Sequence, residues 1–367
     1  MRPTLPLVAA ALLAAGCMPD LDPASEVTGL RVLAVRAEPP ELAPGAAGAP
    51  DRATLGALVV HPAFTAAPDR RATVLHVACT PVPGDPSPSP CTQLTELADP
   101  VALLALVDPS QACAAPGTGA AGAITLAGLE ACGALGCEPV VVLRDPADAT
   151  SAVTLPAPGY ALPAGYTLDL PAGNAQRVLG VQVVDLALAL DAGPEALAPV
   201  EPAADACAAL LAVAERFGAA WASSEHVTAL KRITVRGPDA PSPPNRNPEL
   251  TGVTLDGRAL PLPGQAPASV AAGVEAGLLP VLPGDPDALR EEYVRCDAAG
   301  RPIETRREDW TFSWFATAGE LQHLHTYDAT EADRYTAPGE GQVLVWAVVR
   351  DLRGGVAWRA AALEVAR

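Results

Sequence analysis

Short apolar stretches separated by proline and glycine recur along most of this 367-residue chain. Apolar runs of about 4–8 residues, alternating or continuous, are typical of β-strands. The pattern therefore predicts a mainly β protein. The expected strands are residues 27–36, 52–61, 72–79, 139–144, 166–170, 178–190, 227–235, 250–255, 291–295, 302–306, 309–316, 342–350 and 355–365.

Two segments have helical spacing instead. Apolar residues recur at intervals of three or four between residues 92 and 137 and again from 203 to 217. This spacing places apolar side chains on one face of a helix. We therefore expect a cysteine-rich helical insertion over about 92–137 and a helix over 203–217.

A proline-rich segment divides the chain. Residues 237–248 contain five prolines in twelve positions, a composition typical of an extended, semi-rigid linker. The prediction is two β-sandwich domains, at residues 28–236 and 249–367. The first domain would carry the helical insertion.

The N-terminus has the layout of an export signal. Arg2 precedes an apolar run from Leu5 to Ala15, and small residues come directly before Cys17. The run is shorter than the ~20 residues that span a bilayer. We expect a signal peptide at residues 1–16 and a tether at 17–27. An ordinary cleaved leader, with Cys17 as a bystander, is the alternative.

The four residues Ala14-Ala15-Gly16-Cys17 resemble the lipobox of bacterial lipoproteins. The resemblance implies that Cys17 becomes the first residue and carries a diacylglycerol on its sulfur. Ala14 departs from the pattern, because leucine is commoner at that position. Since no aspartate directly follows Cys17, the resemblance also implies the outer membrane. Several acyl chains together give a stable anchor.

The C-terminal part of the chain contains three segments that resemble PKD-like or bacterial Ig-like modules, namely Ser313–Gly319, Tyr335–Pro338 and Val345–Asp351. The resemblance implies two Ig-like β-sandwich domains, with Trp314 in a core. No cysteine pair brackets Trp314, which separates the chain from antibody-type domains. As a whole, the chain resembles Ig-like envelope lipoproteins of myxobacterial type, and this resemblance implies no particular activity.

The chain has eight cysteines, of which five lie between residues 79 and 137. Export permits disulfides, although connectivity cannot be deduced from spacing. We favour Cys79 with Cys91, and Cys113 with either Cys132 or Cys137. Seven cysteines remain beside Cys17, so at least one thiol stays free or pairs between molecules.

The net charge of −18 argues against nucleic acid as a partner and against a polybasic membrane-binding patch. No cofactor is expected. His323 and His325 lie two residues apart and could share a face of an extended segment, so they are weak candidates for a metal. An exposed polar loop is the favoured interpretation of this segment.

The sequence contains no nucleophile elbow, P-loop or zinc-protease motif. The predicted function is therefore a lipid-anchored cell-envelope protein with a structural, binding or adhesion role and no catalytic activity. Its expected partners are the membrane, through the lipid, and an envelope protein or glycan. One alternative is a glycan-binding surface module that uses some of the five tryptophans. The other is a hydrolase or metal-dependent enzyme with its site in the insertion of the first domain.

Overall fold

The computed structural model of the chain describes residues 24–43, 52–67, 69–80, 82, 122–143, 145, 147–155, 157–163, 166, 179–190, 201–237, 240–297 and 301–367. Strand accounts for 50% and helix for 10%, so the predicted mainly β fold is confirmed. The predicted signal peptide, Cys17 and the first part of the predicted insertion, residues 92–121, lie outside the described residues.

The described residues of the first unit, 24–237, form a three-stranded sheet, a six-stranded sheet, a small hairpin and one long helix. Its strands are β1 (Arg31–Glu38), β2 (Glu41–Leu42), β3 (Arg52–Val60), β4 (Arg71–Cys79), β5 (Ile124–Gly133), β6 (Gly136–Pro139), β7 (Val141–Leu143), β8 (Ala152–Thr154), β9 (Gly159–Ala161), β10 (Leu179–Leu190) and β11 (His226–Val235). Its helices are α1 (Ala63–Ala66), a 3₁₀ turn at Ala149–Ser151, and α2 (Ala206–Trp221). The sheet orders are β1-β3-β9 and β2-β11-β10-β4-β5-β6, and β7 with β8 forms a small hairpin.

The six-stranded sheet is covered on both faces. Leu75 and Leu129 point to one face, where Val213 and Phe217 of α2 cover them. On the other face, β4 packs against β3 of the three-stranded sheet. The helix predicted over 203–217 is present, but it runs from Ala206 to Trp221. It begins after Asp205, whose carboxylate accepts a hydrogen bond from the Ala208 N–H at 2.9 Å.

The predicted helical insertion is wrong over its described part, residues 122–137. Residues 124–133 form strand β5, which pairs along its whole length with β4, and 136–139 form β6. Both faces of β5 are buried, one against α2 and one against β3, so its sequence lacks the alternation of a half-exposed strand. Because both faces of β5 are buried, its apolar residues do not alternate, and some of them fall three positions apart as they would in a helix.

The second unit, residues 249–367, is a sandwich of two five-stranded sheets. Its strands are β12 (Gly252–Leu255), β13 (Arg258–Ala259), β14 (Ala268–Ala271), β15 (Glu275–Val281), β16 (Glu292–Cys296), β17 (Pro302–Arg307), β18 (Thr311–Ala316), β19 (Glu320–Leu321), β20 (His325–Thr326), β21 (Asp333–Thr336), β22 (Gly341–Arg350) and β23 (Val356–Ala366), with a helical turn α3 at Pro286–Leu289. The sheet orders are β13-β12-β15-β21-β19 and β14-β23-β22-β18-β20, and β16 pairs with β17 in a separate hairpin.

The core of this sandwich is rich in aromatic residues. Phe312 and Trp314 of β18, and Trp310 just before it, lie in one cluster with Leu278 and Tyr335 of the opposite sheet, and all five are buried. Trp314 has no exposed surface, as the resemblance implied. Each of these large rings buries more apolar surface than the alanine and valine side chains around it.

The two units share a second apolar core, which we call the seam. Leu33 of β1 and Val59 of β3 lie in one buried cluster with Leu344, Trp346 and Val348 of β22. Strand β22 is thus buried on both faces, one in its own sandwich and one in the seam. The predicted division at 237–248 therefore separates two units in sequence that are packed together in space.

The predicted tether ends earlier than residue 27. The Val27 N–H donates to the Ala316 carbonyl at 2.8 Å, and the Ala316 N–H donates to the Ser25 carbonyl at 3.0 Å. Val27 is 1% exposed. Residues 25–27 therefore belong to the folded body, bound to the end of β18 in the second unit.

Among the described residues, no helix combines the length and apolarity needed to cross a bilayer.

Candidate functional site

Two asparagines of the predicted linker fix it to both units. The Asn247 amide donates to the Ala37 carbonyl at 2.7 Å, and its side-chain oxygen accepts from the Val356 N–H at 2.8 Å. Asn245 is 1% exposed and donates to Glu41 of the first unit and Asp351 of the second. The segment is a bound strap across the edge of the seam, in contrast to the extended spacer that its prolines predict.

An arginine closes the polar edge of the seam. The Arg353 guanidinium lies 2.9 Å from Glu308, 3.4 Å from Glu291 and 3.9 Å from Glu41 of the first unit. It also lies over the Tyr293 ring, 5.0 Å from its centroid. Burial raises the pKa of Glu308, although Arg353 opposes that shift. One cation therefore serves several carboxylates drawn from both units.

A pocket of about 330 Å³ opens at the seam beside this cluster. Its walls come from Val32–Val35 of β1, from Ala229–Lys231 of β11, and from the turn between β22 and β23. Two cations line it, Lys231 and Arg350. No local sequence pattern marks this site, because its walls come from segments more than 100 residues apart.

Lys231 is the only lysine in the chain. Its ammonium donates a hydrogen bond to the Gly354 carbonyl across the seam. Burial lowers the pKa of Lys231 to about 8; the nearby Asp351 carboxylate opposes this shift, and Arg350 adds to it. A partly buried lysine in a cleft is a binding-site candidate on physical grounds.

The weak metal candidates His323 and His325 are not brought into a ligand cluster. Both side chains are exposed. The His325 ring lies 2.9 Å from the Ser313 hydroxyl, and the His323 N–H donates to Asp333 at 2.9 Å. Burial, aided by Arg350, lowers the pKa of His325. These contacts fit the polar-loop interpretation.

A different cluster has metal-ligand chemistry. Among the described residues, Glu130, Cys132 and Cys137 place their ligand atoms within 4.8 Å of one another. Cys132 and Cys137 are joined as a disulfide, however, so neither sulfur is a thiolate that could bind a metal. The buried Glu130 carboxylate instead lies 3.2 Å from His76 and accepts from the Ala57 N–H at 3.2 Å.

This disulfide corrects the predicted pairing of Cys113 with Cys132 or Cys137. Strands β5 and β6 form a hairpin that places Cys132 directly opposite Cys137, so these two bond to each other. Cys79 is also disulfide-bonded, and so is Cys207, which was not predicted. The predicted partner Cys91 and Cys113 lie outside the described residues, while Cys296 is free.

A glutamate–histidine pair joins the end of α2 to the start of the first unit. Glu225 accepts from the Leu30 N–H at 2.6 Å and lies 2.9 Å from His61 Nε2, while His61 Nδ1 accepts from the Ala63 N–H at 2.9 Å. Both ring nitrogens therefore have partners, which leaves none to act as a general base. His226 stacks on Trp221 instead, with ring centroids 4.3 Å apart.

The tryptophans do not form a surface platform for sugars. Trp221, Trp310, Trp314 and Trp346 are each at most 5% exposed, and Trp358 is partly buried beside the seam. Stacking on a glycan needs exposed ring faces. The predicted glycan-binding alternative therefore has no support from these side chains.

Comparisons with known proteins give little further information. No family model and no curated protein matches the chain. Among solved structures, the native conformation of E. coli alpha-2-macroglobulin aligns with 92% of this chain at 13% identity and a TM-score of 0.18. The chain spans 17% of the length of that protein. A likeness at this level carries no argument about fold or function.

Proposed function

We propose that the chain is a cell-envelope protein, anchored by a lipid on Cys17, that acts as a non-catalytic binding module. The observation that carries the proposal is the seam. A shared apolar core, a bound linker and an N-terminal segment fixed at Ser25–Val27 make one body from two β units. Such a body presents a preformed surface and pocket, which is what binding requires.

The position of Ser25 supports a short attachment. Eight residue steps separate Cys17 from Ser25, and an extended chain covers at most about 28 Å over that distance. A lipid on Cys17 would therefore hold the seam close to the membrane surface. This geometry suits a protein that binds a ligand or partner near the membrane.

The test of the anchor is the variant Cys17→Ser in the full chain, expressed in a bacterial host and fractionated. The wild type is expected in the membrane fraction, released by detergent and retained in high salt. The variant is expected in the soluble fraction. Cys296→Ser, which removes the free thiol of the described residues, is the matched control and should behave as the wild type. Membrane retention of Cys17→Ser at the wild-type level would contradict the proposal.

A further inference from the structure

The seam pocket is amphipathic. Its walls are made by aliphatic side chains of both units, and Lys231 and Arg350 supply its charged part. Its volume of about 330 Å³ lies at the lower end of the range of small-molecule sites. A ligand that fits it needs a short apolar body and one charged end.

The two cations retain unused hydrogen-bond donors. The guanidinium of Arg350 has five N–H groups, and it donates to the Ser313 hydroxyl and to the Leu33 carbonyl. The ammonium of Lys231 has three, and Gly354 accepts one of them. Both groups therefore have the capacity to donate to an anion in the pocket while keeping the bonds that hold the seam.

The local charge selects a monoanion. Asp351 is buried next to Lys231, and its carboxylate is already satisfied by the N–H groups of Arg353 and Gly355 and by the Asn245 amide. The Arg353 cluster beside the pocket adds the carboxylates of Glu41, Glu291 and Glu308 to the acidic groups nearby. A ligand with one negative charge can pair with Lys231 and Arg350, whereas the second charge of a phosphate dianion would be repelled by these carboxylates in a partly buried site.

From these observations we infer that the seam pocket binds a small aliphatic carboxylate, with its head on Lys231 and Arg350 and its chain against β1 and β11. This inference deepens the proposed function, because it names the ligand class of a binding module. It is independent of the lipid anchor, so a failure of either can be recognised separately.

The single lysine allows a direct test. The full chain, purified in detergent, is treated with an amine-acylating reagent, and peptide mapping follows the acylation of Lys231 separately from that of the α-amine. Octanoate is the probe, and octanol is the uncharged control of the same length. Octanoate is expected to slow acylation of Lys231 saturably, by about tenfold or more, since hydrogen bonds to charged groups contribute ~1.5–3 kcal/mol. Octanol is expected to have little effect.

Two variants distinguish specific binding from general adsorption. Lys231→Met keeps the aliphatic stem and removes the charge, and calorimetry should show octanoate affinity at least about tenfold weaker. Lys231→Arg retains a cation and should bind octanoate more tightly than Lys231→Met does. Equal protection by octanol, unchanged affinity of Lys231→Met, or no protection by octanoate at saturating concentrations would each overturn the inference.

Discussion

The two faces of strand β22 bury their side chains in different surroundings. Val343, Val345 and Ala347 point into the sandwich of the second unit, where the neighbours are tryptophan, phenylalanine and tyrosine. Leu344 and Trp346 point into the seam, whose edge carries the Arg353 cluster and the Lys231 pocket. An apolar centre with a polar rim is the anatomy of a protein interface. The seam is thus an interface built within one chain.

This difference between the two faces indicates where a ligand could bind. The sandwich face of β22 lies in a core with the rings of Trp310, Phe312 and Trp314. A pocket of about 350 Å³ opens at the edge of the sandwich beside Tyr335, and Asp256 and Arg258 are among its lining residues. The seam is bounded by unlike surfaces of two units, which leave a pocket between them. Ligand sites occur preferentially at such boundaries.

The largest effect is expected in the sandwich core. Trp314→Ala removes a fully buried ring, and such truncations cost about 3–5 kcal/mol in the free energy of unfolding. Urea unfolding followed by circular dichroism measures the loss. Leu352→Ala is a suitable control, because Leu352 is 70% exposed and should change stability by less than about 0.5 kcal/mol. A loss below about 1 kcal/mol for Trp314→Ala would show that the ring is not packed as described.

Trp346→Ala tests the seam face of the same strand. Trp346 is 3% exposed, and its truncation is expected to cost about 3 kcal/mol. Because the ring contacts the first unit, urea transitions followed by far-ultraviolet circular dichroism and by tryptophan fluorescence should remain coincident and shift together. If the fluorescence of the second unit alone moved to lower urea, the seam would not couple the units.

Arg353→Met sharpens the comparison at the polar rim. The substitution leaves the buried Glu308 carboxylate without its cation. Removal of one partner of a buried ion pair lowers the free energy of unfolding by about 3 kcal/mol. The loss should be no larger than this, because Glu291, the other nearby carboxylate, is partly exposed. Arg359→Met, at an exposed position of β23, is the matched control and should be nearly neutral. Equal urea midpoints for the two variants would show that the Arg353 cluster does not contribute to stability.

The smallest effect concerns Lys231 and pH. Its folded pKa of about 8 lies below the ordinary value of 10.5, so the unfolded state binds more protons between those values, and this group raises stability as pH rises from about 8 to 10.5. Lys231→Met lacks this contribution, so its stability relative to the wild type should fall as pH rises from about 8 to 10.5 and should stay constant above that range. Thermal unfolding at several pH values measures this. A difference that is independent of pH would show that Lys231 is not desolvated.

The sequence predicted local structure correctly where its apolar pattern was typical of only one kind of element. Helix α2 follows its spacing and its Asp205 cap, and β22 reads as a strand from its continuous apolar run. That same run, Val343–Val349, carried the signal of a strand buried on both faces. Strand β5 was misread because two buried faces and many small residues imitated helical spacing.

The sites needed the fold. Lys231 meets Gly354 across 123 positions of sequence, and Asn247 meets Ala37 across 210. The local sequence around these residues does not predict such distant partners. The Cys132–Cys137 bond follows from the β5–β6 hairpin alone. It was not predicted, because β5 was taken for part of a helix.

Hydrogen exchange of the full chain shows directly whether the two units share one core and open together. Peptides from β3 in the first unit and from β22 in the second are followed by mass spectrometry in the wild type and in Trp346→Ala. A loss of about 3 kcal/mol corresponds to roughly a hundredfold faster exchange. If the seam couples the units, exchange in both β3 and β22 should become faster by about this factor. If β22 exchanged faster in Trp346→Ala while β3 kept its wild-type rate, the two units would not share one cooperative core.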